Sequence, residues 1–359
     1  MTSRRDFLET SAALALLGAA APSVLADHTA KPLSYLVLGG TGFIGPHQIN
    51  ALLDRGHAVT VFNRGRRGGM FGDRVTELVG NRDDRVDDGL KALRSSDTWD
   101  VVIDNSGYVP RHVRDSVKLL KDRCRQYLYI STVASYDFDQ GPVFDRDGPI
   151  YTTVPDTEEV NGETYGPLKA ECDRIVLEHG GDQATIVRPT YIVGPGDHTD
   201  RFTYWVERVM RGGDVLTMTG PDHNVQWIDV RDLAAFVTHL TEHGTPGVFN
   251  AAGPSSRVNN RGLLWGLRAL TDKPVTFHWS TPEVLNDLEL SMPMFGTESR
   301  SLHFDSSAAQ AAGLKMRSLA DSATAIHEWW QTLPEERRNN PRRWPTPEQE
   351  SEAIARIRA

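Results

Sequence analysis

A chain of 359 residues, 39% hydrophobic and 24% charged, can bury a large core as one big α/β domain or as two lobes. Lys and Arg number 39 against 48 Asp and Glu, giving a formal charge of -9; apart from the short block Arg64 to Arg67 nothing is strongly basic, so a nucleic-acid partner is not expected. Two cysteines, Cys124 and Cys172, cannot build a metal cluster and read as separate buried thiols, and the 12 histidines show no pair at ligand spacing with a suitable third residue, so no metal is expected.

The amino terminus reads as a targeting segment outside the fold. MTSRRDFLETSAALALLGAAAPSVLA carries Arg4 and Arg5, then Phe7 and Leu8, an apolar stretch from Ala12 to Ala21, and small residues up to Ala26. It resembles a twin-arginine export signal cleaved near Ala26, and its apolar stretch is too short to span a bilayer, so no stable membrane anchor is expected. The expected location is periplasmic or secreted, reached through the twin-arginine machinery by a chain already folded. Arg4 and Arg5 are offset by Asp6 and Glu9, so the mature chain stays acidic.

SYLVLGGTGFIG, residues 34 to 45, follows: an apolar run that ends in glycines and reopens as a helical pattern. Gly39 allows a tight strand-to-helix turn, Gly42 and Gly45 let a pyrophosphate approach bare backbone, and the helix beginning near Phe43 and Ile44 turns its N-terminal amides toward that phosphate. Leu36 to Leu38 before the glycines, and Ile44, Ile49, Leu52 and Leu53 after them, supply the strand and helix that a dinucleotide site requires. HAVTVFNRG then predicts a second strand ending at Asn63 and Arg64, where an acidic residue would favour NAD. Arginine there, with Arg66 and Arg67 behind it, pairs instead with a 2′-phosphate, so NADP is expected over NAD.

Further strands are predicted over residues 74 to 80, 99 to 107, 126 to 132 and 184 to 190, separated by helical patterns such as HVRDSVKLLKDR. The alternation predicts an α/β fold, a doubly wound parallel sheet (Rossmann) with a smaller C-terminal substrate lobe. Its ligand lies at the carboxyl ends of the strands, where Asn105, Ser106 and Thr132 fall. The dinucleotide-binding domain is expected over residues 33–195 and 225–252, returning to the sheet at VQWIDV and GVFNAAG. The lobe takes residues 196–224 and 253–335, and residues 336–359 read as a loosely held tail. Trp265, Trp329 and Trp330 read as packing.

YGPLK opens a helix that places Tyr165 and Lys169 four apart on one face. A lysine near a phenol stabilises the phenolate, so Tyr165 can exchange a proton at neutral pH, and the Thr132 hydroxyl can bind the same substrate oxygen.

With these residues in place, the sequence resembles the short-chain dehydrogenase/reductase superfamily, in its extended branch of NAD(P)-dependent epimerases and dehydratases. The resemblance runs from Leu36 to about residue 335 through GGTGFIG, ISTVASY, YGPLK, RPTYIVGPGD and WIDVRDLA. It implies Thr132, Tyr165 and Lys169 as the catalytic set, Lys169 holding the nicotinamide ribose, and the segment from Pro189 to Gly196 touching nicotinamide and substrate. Asn63 departs from the branch's usual acidic residue, and Pro167 is tolerable because it lies in the helix's first turn. Tyr191, His198, Arg201, Tyr204, Gln226 and Arg231 are candidate substrate contacts.

The function expected is an NAD(P)-dependent epimerase, dehydratase or reductase acting on a hydroxyl or ketone of a sugar-like small molecule, with no net redox change. The alternative is a binding protein, since relatives near this branch, chloroplast RNA-binding ones included, use the fold without obvious redox turnover. The intact Thr132, Tyr165 and Lys169 set and the acidic charge stand against that alternative. A homodimer is left open.

Overall fold

The computed structural model describes residues 31–359, so the export-signal segment, residues 1 to 26, lies outside the described residues. The first strand, β1 (Ser34–Leu38), shows how the core is laid out. Its side chains alternate between two faces, Tyr35 and Val37 entering one apolar cluster and Leu36 and Leu38 the other. A strand buried on both faces is apolar throughout, the sequence signature of a parallel sheet covered by helices on each side.

In chain order come α1 (Ile44–Asp54), β2 (Ala58–Asn63), β3 (Thr76–Val79), β4 (Trp99–Asp104), α2 (Pro110–Leu120), β5 (Cys124–Ile130), β6 (Val143–Phe144), α3 (Tyr165–Gly180) and β7 (Ala184–Pro189). Then follow β8 (Tyr191–Val193), α4 (Arg201–Arg211), β9 (Gly213–Leu216), β10 (Asn224–Asp229), α5 (Val230–Glu242), β11 (Gly247–Ala251), β12 (Gly253–Asn259), α6 (Asn260–Arg268) and β13 (Val275–His278). The chain closes with α7 (Pro282–Asp287), β14 (His303–Phe304), α8 (Ser307–Ala311), α9 (Leu319–Thr332), α10 (Glu335–Asn339) and α11 (Pro347–Arg358).

Seven parallel strands form the main sheet in the order β11-β7-β5-β4-β1-β2-β3. On one face α1 and α5 cover it with Ile49, Leu52, Leu233, Phe236 and Val237. On the other, α2 and α3 do so with Val113, Val117, Leu120, Ile175 and Val176. This is the doubly wound Rossmann sheet expected. Among the described residues no helix is long and apolar enough to cross a membrane.

Three expectations are corrected. VQWIDV does not rejoin the main sheet: β10 pairs with β8 and β12 in a separate three-stranded sheet, while GVFNAAG does rejoin, as β11 beside β7. Residues 336–359 are not a loose tail. Thr346 and Gln349 close a capping box on α11, and Glu350 on that helix accepts Arg208 Nε at 2.8 Å and the Leu216 amide at 2.9 Å. Upstream, the carboxylate of Asp200 accepts Arg337 Nη2 at 2.6 Å and the Arg342 amide at 2.9 Å, and its carbonyl takes the Trp344 indole. The tail thereby completes a second core, in which Ala353 and Ile354 pack with Trp205, Leu216 and Leu263. Trp330 is buried, but Trp265 is 55% exposed and lies edge-on to Phe277.

Candidate active site

The turn after β1 is shaped by what a side chain would strike. Gly39 has φ +85° and donates its amide to the Phe62 carbonyl; a Cβ there would lie 2.6 Å from Ser106 Cβ. A Cβ on Gly45 would come within 2.2 Å of the Gly40 carbonyl oxygen, so Gly45 seats α1 against the turn. Gly42 differs: a Cβ there would meet nothing within 4 Å, which leaves bare backbone facing open space.

That space is a cavity of about 670 Å³ at the carboxyl end of the sheet. Of the cofactor residues expected, Gly39, Gly42, Phe43, Ile44, Gly45, Asn105, Tyr165, Lys169 and Pro189 line it. Asn63, Arg64 and Ser106 stand outside its wall. The Asn63 carboxamide oxygen accepts the Gly65 amide at 2.6 Å, and Ser106 Oγ accepts Arg82 Nη1 at 3.1 Å. Arg64 is exposed at the end of β2, and Arg67, three residues on, donates to the Thr41 carbonyl in the glycine turn at 3.1 Å. Ser131 Oγ and Thr190 Oγ1, both on residues lining the cavity, are buried without a protein partner. Open backbone at Gly42 and unpaired hydroxyls along the wall fit a dinucleotide cofactor with hydroxyl-rich sugars.

Helix α3 brings the proton-transfer residues together. Asn161 Oδ1 accepts the Glu163 and Thr164 amides just before the helix, and Tyr165 is its first residue. Gly166 then allows an approach no other residue could make, since a Cβ there would sit 2.3 Å from the Ala134 carbonyl oxygen. The helix start is thereby pressed against the turn after β5, where Thr132 Oγ1 accepts the Ala134 amide at 3.1 Å. Burial pushes the Tyr165 phenol up to about 12, opposed by hydrogen bonding from Thr132. Lys169 is buried, and burial brings its ammonium down to about 8. Its three N–H groups go to the Gly107 carbonyl, the Ile130 carbonyl and the Tyr129 hydroxyl, leaving none for the Tyr165 phenol. Phenol and ammonium thus share one cavity wall without a direct bond between them.

The substrate candidates divide. Thr132, Tyr191, His198 and Arg201 line the cavity; the Tyr191 hydroxyl donates to the Met294 carbonyl at 2.9 Å, and Arg201 lies 5.5 Å from the Tyr191 ring. Gln226 also reaches the wall, but its amide is spent: Nε2 donates to the Phe304 carbonyl at 3.0 Å and Oε1 accepts the Phe304 amide at 2.7 Å, so it braces β14. Arg231 is not at the cavity; it pairs with Asp229 at 2.8 Å and Asp321 at 2.9 Å at the start of α5. Tyr204 is in the core of the second lobe. Sequence reasoning missed Tyr108, whose ring lies 6.3 Å from that of Tyr165, and Glu298 and Arg300 from the lobe. Tyr108 stands three residues after Asn105 and was within reach of the strand-end argument; the other two depend on tertiary folding alone.

Asp83, His112 and Glu158 bring potential metal-ligand atoms within 4.8 Å of one another. Both carboxylates are taken by Arg111, at 2.9 Å and 2.7 Å, so the group reads as an ion-pair network. Cys124 and Cys172 are both free thiols, the second buried and the first half-buried.

Sheet, glycine turn and lobe define a Rossmann dinucleotide-binding protein with its cavity between sheet edge and second lobe. Residues 35–252 match the sequence model of the NAD dependent epimerase/dehydratase family, and the chain belongs to that family. It is 27% identical over 233 residues to the chloroplast stem-loop binding protein of 41 kDa b of Arabidopsis thaliana, a match covering 61% of this chain and 58% of that curated relative. Among solved structures it resembles the UDP-glucuronic acid 4-epimerase of Bacillus cereus in complex with NAD, with a TM-score of 0.61, 16% identity, and 82% of this chain and 96% of that one covered. An NAD dependent NDP-hexosamine 5,6-dehydratase of tunicamycin biosynthesis gives 0.61 at 18% identity, covering 85% of this chain and all of its own (100%). At such identities the likeness is one of fold.

Proposed function

We propose that this protein is an NAD(P)-dependent epimerase, dehydratase or reductase that acts on a hydroxyl or ketone of a free sugar, glycoside or similar polyol. The observation that carries the reading is the single cavity that joins the glycine turn, Thr132, Tyr165 and Lys169 to Tyr191 and Arg201 from beyond the sheet. Backbone around Gly42 would hold the pyrophosphate, and Lys169 would reach the nicotinamide ribose by giving up one of its present acceptors. A nicotinamide cofactor bound there supplies reversible hydride transfer at the substrate carbon.

The chain's own residues manage the proton. With its phenol raised to about 12, Tyr165 rests protonated, so its Oη proton is ready to pass to a substrate carbonyl oxygen in the reducing direction. In the oxidising direction the substrate hydroxyl returns that proton to the phenolate, which the Lys169 charge favours across the shared wall. Thr132 Oγ1 binds the same substrate oxygen and steadies its developing charge.

NADP is the cofactor favoured, because Arg64 and Arg67 flank the end of β2 where an acidic residue would select NAD. Export by the twin-arginine route, before cleavage near Ala26, completes the reading. Stem-loop binding, named for the Arabidopsis relative, is the second reading, and the net charge of -9 weighs against it.

The test is to purify the chain, titrate NADPH and NADH by fluorescence, and screen sugars and glycosides for turnover in wild type and Tyr165→Phe. Cofactor binding with turnover that disappears in Tyr165→Phe supports the reading. Salt-dependent RNA retention without cofactor binding would replace it with the second.

A further inference from the structure

Two of the three acceptors around Lys169 Nζ are backbone carbonyls, Gly107 and Ile130, each at 2.8 Å. No substitution removes these. The third is one side chain, the Tyr129 hydroxyl at 2.5 Å. Tyr129 is fully buried on the face of β5 that meets α2 and α3, and its ring centroid lies 4.1 Å from the ammonium. Its own proton goes to the Gly107 carbonyl at 2.6 Å. A hydroxyl whose proton is already donated can only accept from its other neighbours, Lys169 Nζ and the Cys172 thiol, and the charged N–H is the stronger donor of the two.

We infer that Tyr129 is a positioning residue, holding Lys169 in its charged form and in place beneath the cavity. The inference rests on the role proposed above for Lys169. Burial works against the ammonium, and the other groups facing it offer limited help. From its own helix come Cys172, whose thiol burial keeps protonated up to about 12, and Asp173, which Arg188 already neutralises at 2.9 Å. From β4 comes Asp104, already paired with Arg82 at 2.5 Å, and Arg82 itself repels the ammonium. Tyr108, which follows β4, lays its ring 5.4 Å from Nζ, and Tyr165 titrates above the lysine. With both carboxylates committed, the direct acceptors decide the charge, and Tyr129 provides the side-chain one.

Tyr129→Phe keeps the ring and removes the oxygen. Tyr127→Phe is its control, two residues back on the same strand and equally buried, its hydroxyl bonded to Asp104 at 2.8 Å. The chain has only seven lysines, so Lys169 can be followed by NMR of protein labelled at lysine Cε and assigned by its absence in Lys169→Arg. Losing one acceptor to a charged donor is expected to lower the Lys169 midpoint by roughly one pH unit in Tyr129→Phe and to leave it in place in Tyr127→Phe. The alkaline limb of kcat should move down by the same amount, with KM for the cofactor little changed. A Lys169 midpoint unmoved in Tyr129→Phe, or moved equally in Tyr127→Phe, overturns the inference. The NMR titration needs no substrate, so it is separate from the reading beneath it: wild-type turnover in Lys169→Ala would overturn the catalytic role of the lysine itself.

Discussion

Removing one oxygen from Tyr165 separates proton transfer from binding. Tyr165→Phe deletes the transferable proton and little packing, so turnover should fall by roughly 10²- to 10⁴-fold while the cofactor dissociation constant stays nearly constant. Near wild-type rates would remove Tyr165 from the acid/base role. In the function proposed, Arg64 carries the cofactor choice. Its exposed guanidinium has room to pair with a 2′-phosphate through charge-assisted hydrogen bonds of ~1.5 to 3 kcal/mol, so Arg64→Ala should weaken NADP roughly ten- to a hundredfold and barely touch NAD. Equal losses for both cofactors would refute the assignment. Tyr165, Lys169, Thr132 and the glycines were legible because turn geometry and helix periodicity fix them locally. Tyr129, Gly107 and Gly166 were not: a hydroxyl on a strand, a carbonyl and a close backbone contact matter only once β5 and α3 pack together. Gln226 and Arg231 were misjudged for the same reason. Gln226 lies inside β10 and Arg231 just past its end, but their polar atoms are used by β14 and by Asp229.

At the scale of elements, alternation told the sheet apart from everything else. Strands β1 and β4 are short apolar runs that lead directly into α1 and α2, so that part of the element order could be written from the chain. The second lobe has no such rhythm. Its strands are short, its helices pack on a core assembled from many distant segments, and the final helix is mostly polar, meeting that core through Ala353, Ile354 and Ile357. What fixes that helix is Glu350, which meets the guanidinium of Arg208 under the second core. Glu350→Ala leaves Arg208 buried without its carboxylate and should destabilise the chain by about 3 to 5 kcal/mol. Thermal unfolding of the variant is expected to begin several degrees earlier, with the lobe's tryptophan fluorescence changing first. An unchanged melting curve would mean that α11 is peripheral to the fold.

Across the whole molecule, the export proposed for the amino-terminal segment and the cavity place linked demands on the chemistry. Outside the cytoplasm there is no evident pool of reduced nicotinamide cofactor to restore an enzyme after each net oxidation or reduction. A chain that folds and takes up its cofactor before export escapes that limit when its reaction returns the cofactor to its starting state, as an epimerisation or an oxidation, elimination and reduction sequence does. The cavity suits retention: it is walled by sheet ends on one side and by Met294, Phe295 and Arg300 on the other, and the second lobe is itself clamped by Asp200 and Glu350. A nucleotide-sugar substrate would be scarce in the same compartment, which is why free sugars and glycosides are the candidates. Protein purified from the periplasm should therefore carry close to one nicotinamide nucleotide per chain and turn over a sugar or glycoside repeatedly with none added. Mass spectrometry of the product should show an isomer, or the loss of water, with no oxidised or reduced substrate accumulating. Empty protein that consumes NADP or NAD in step with each turnover would sink the prediction and leave a simple dehydrogenase. Such a protein would need its cofactor regenerated around it, and a cytoplasmic location would then follow despite the twin arginines at Arg4 and Arg5.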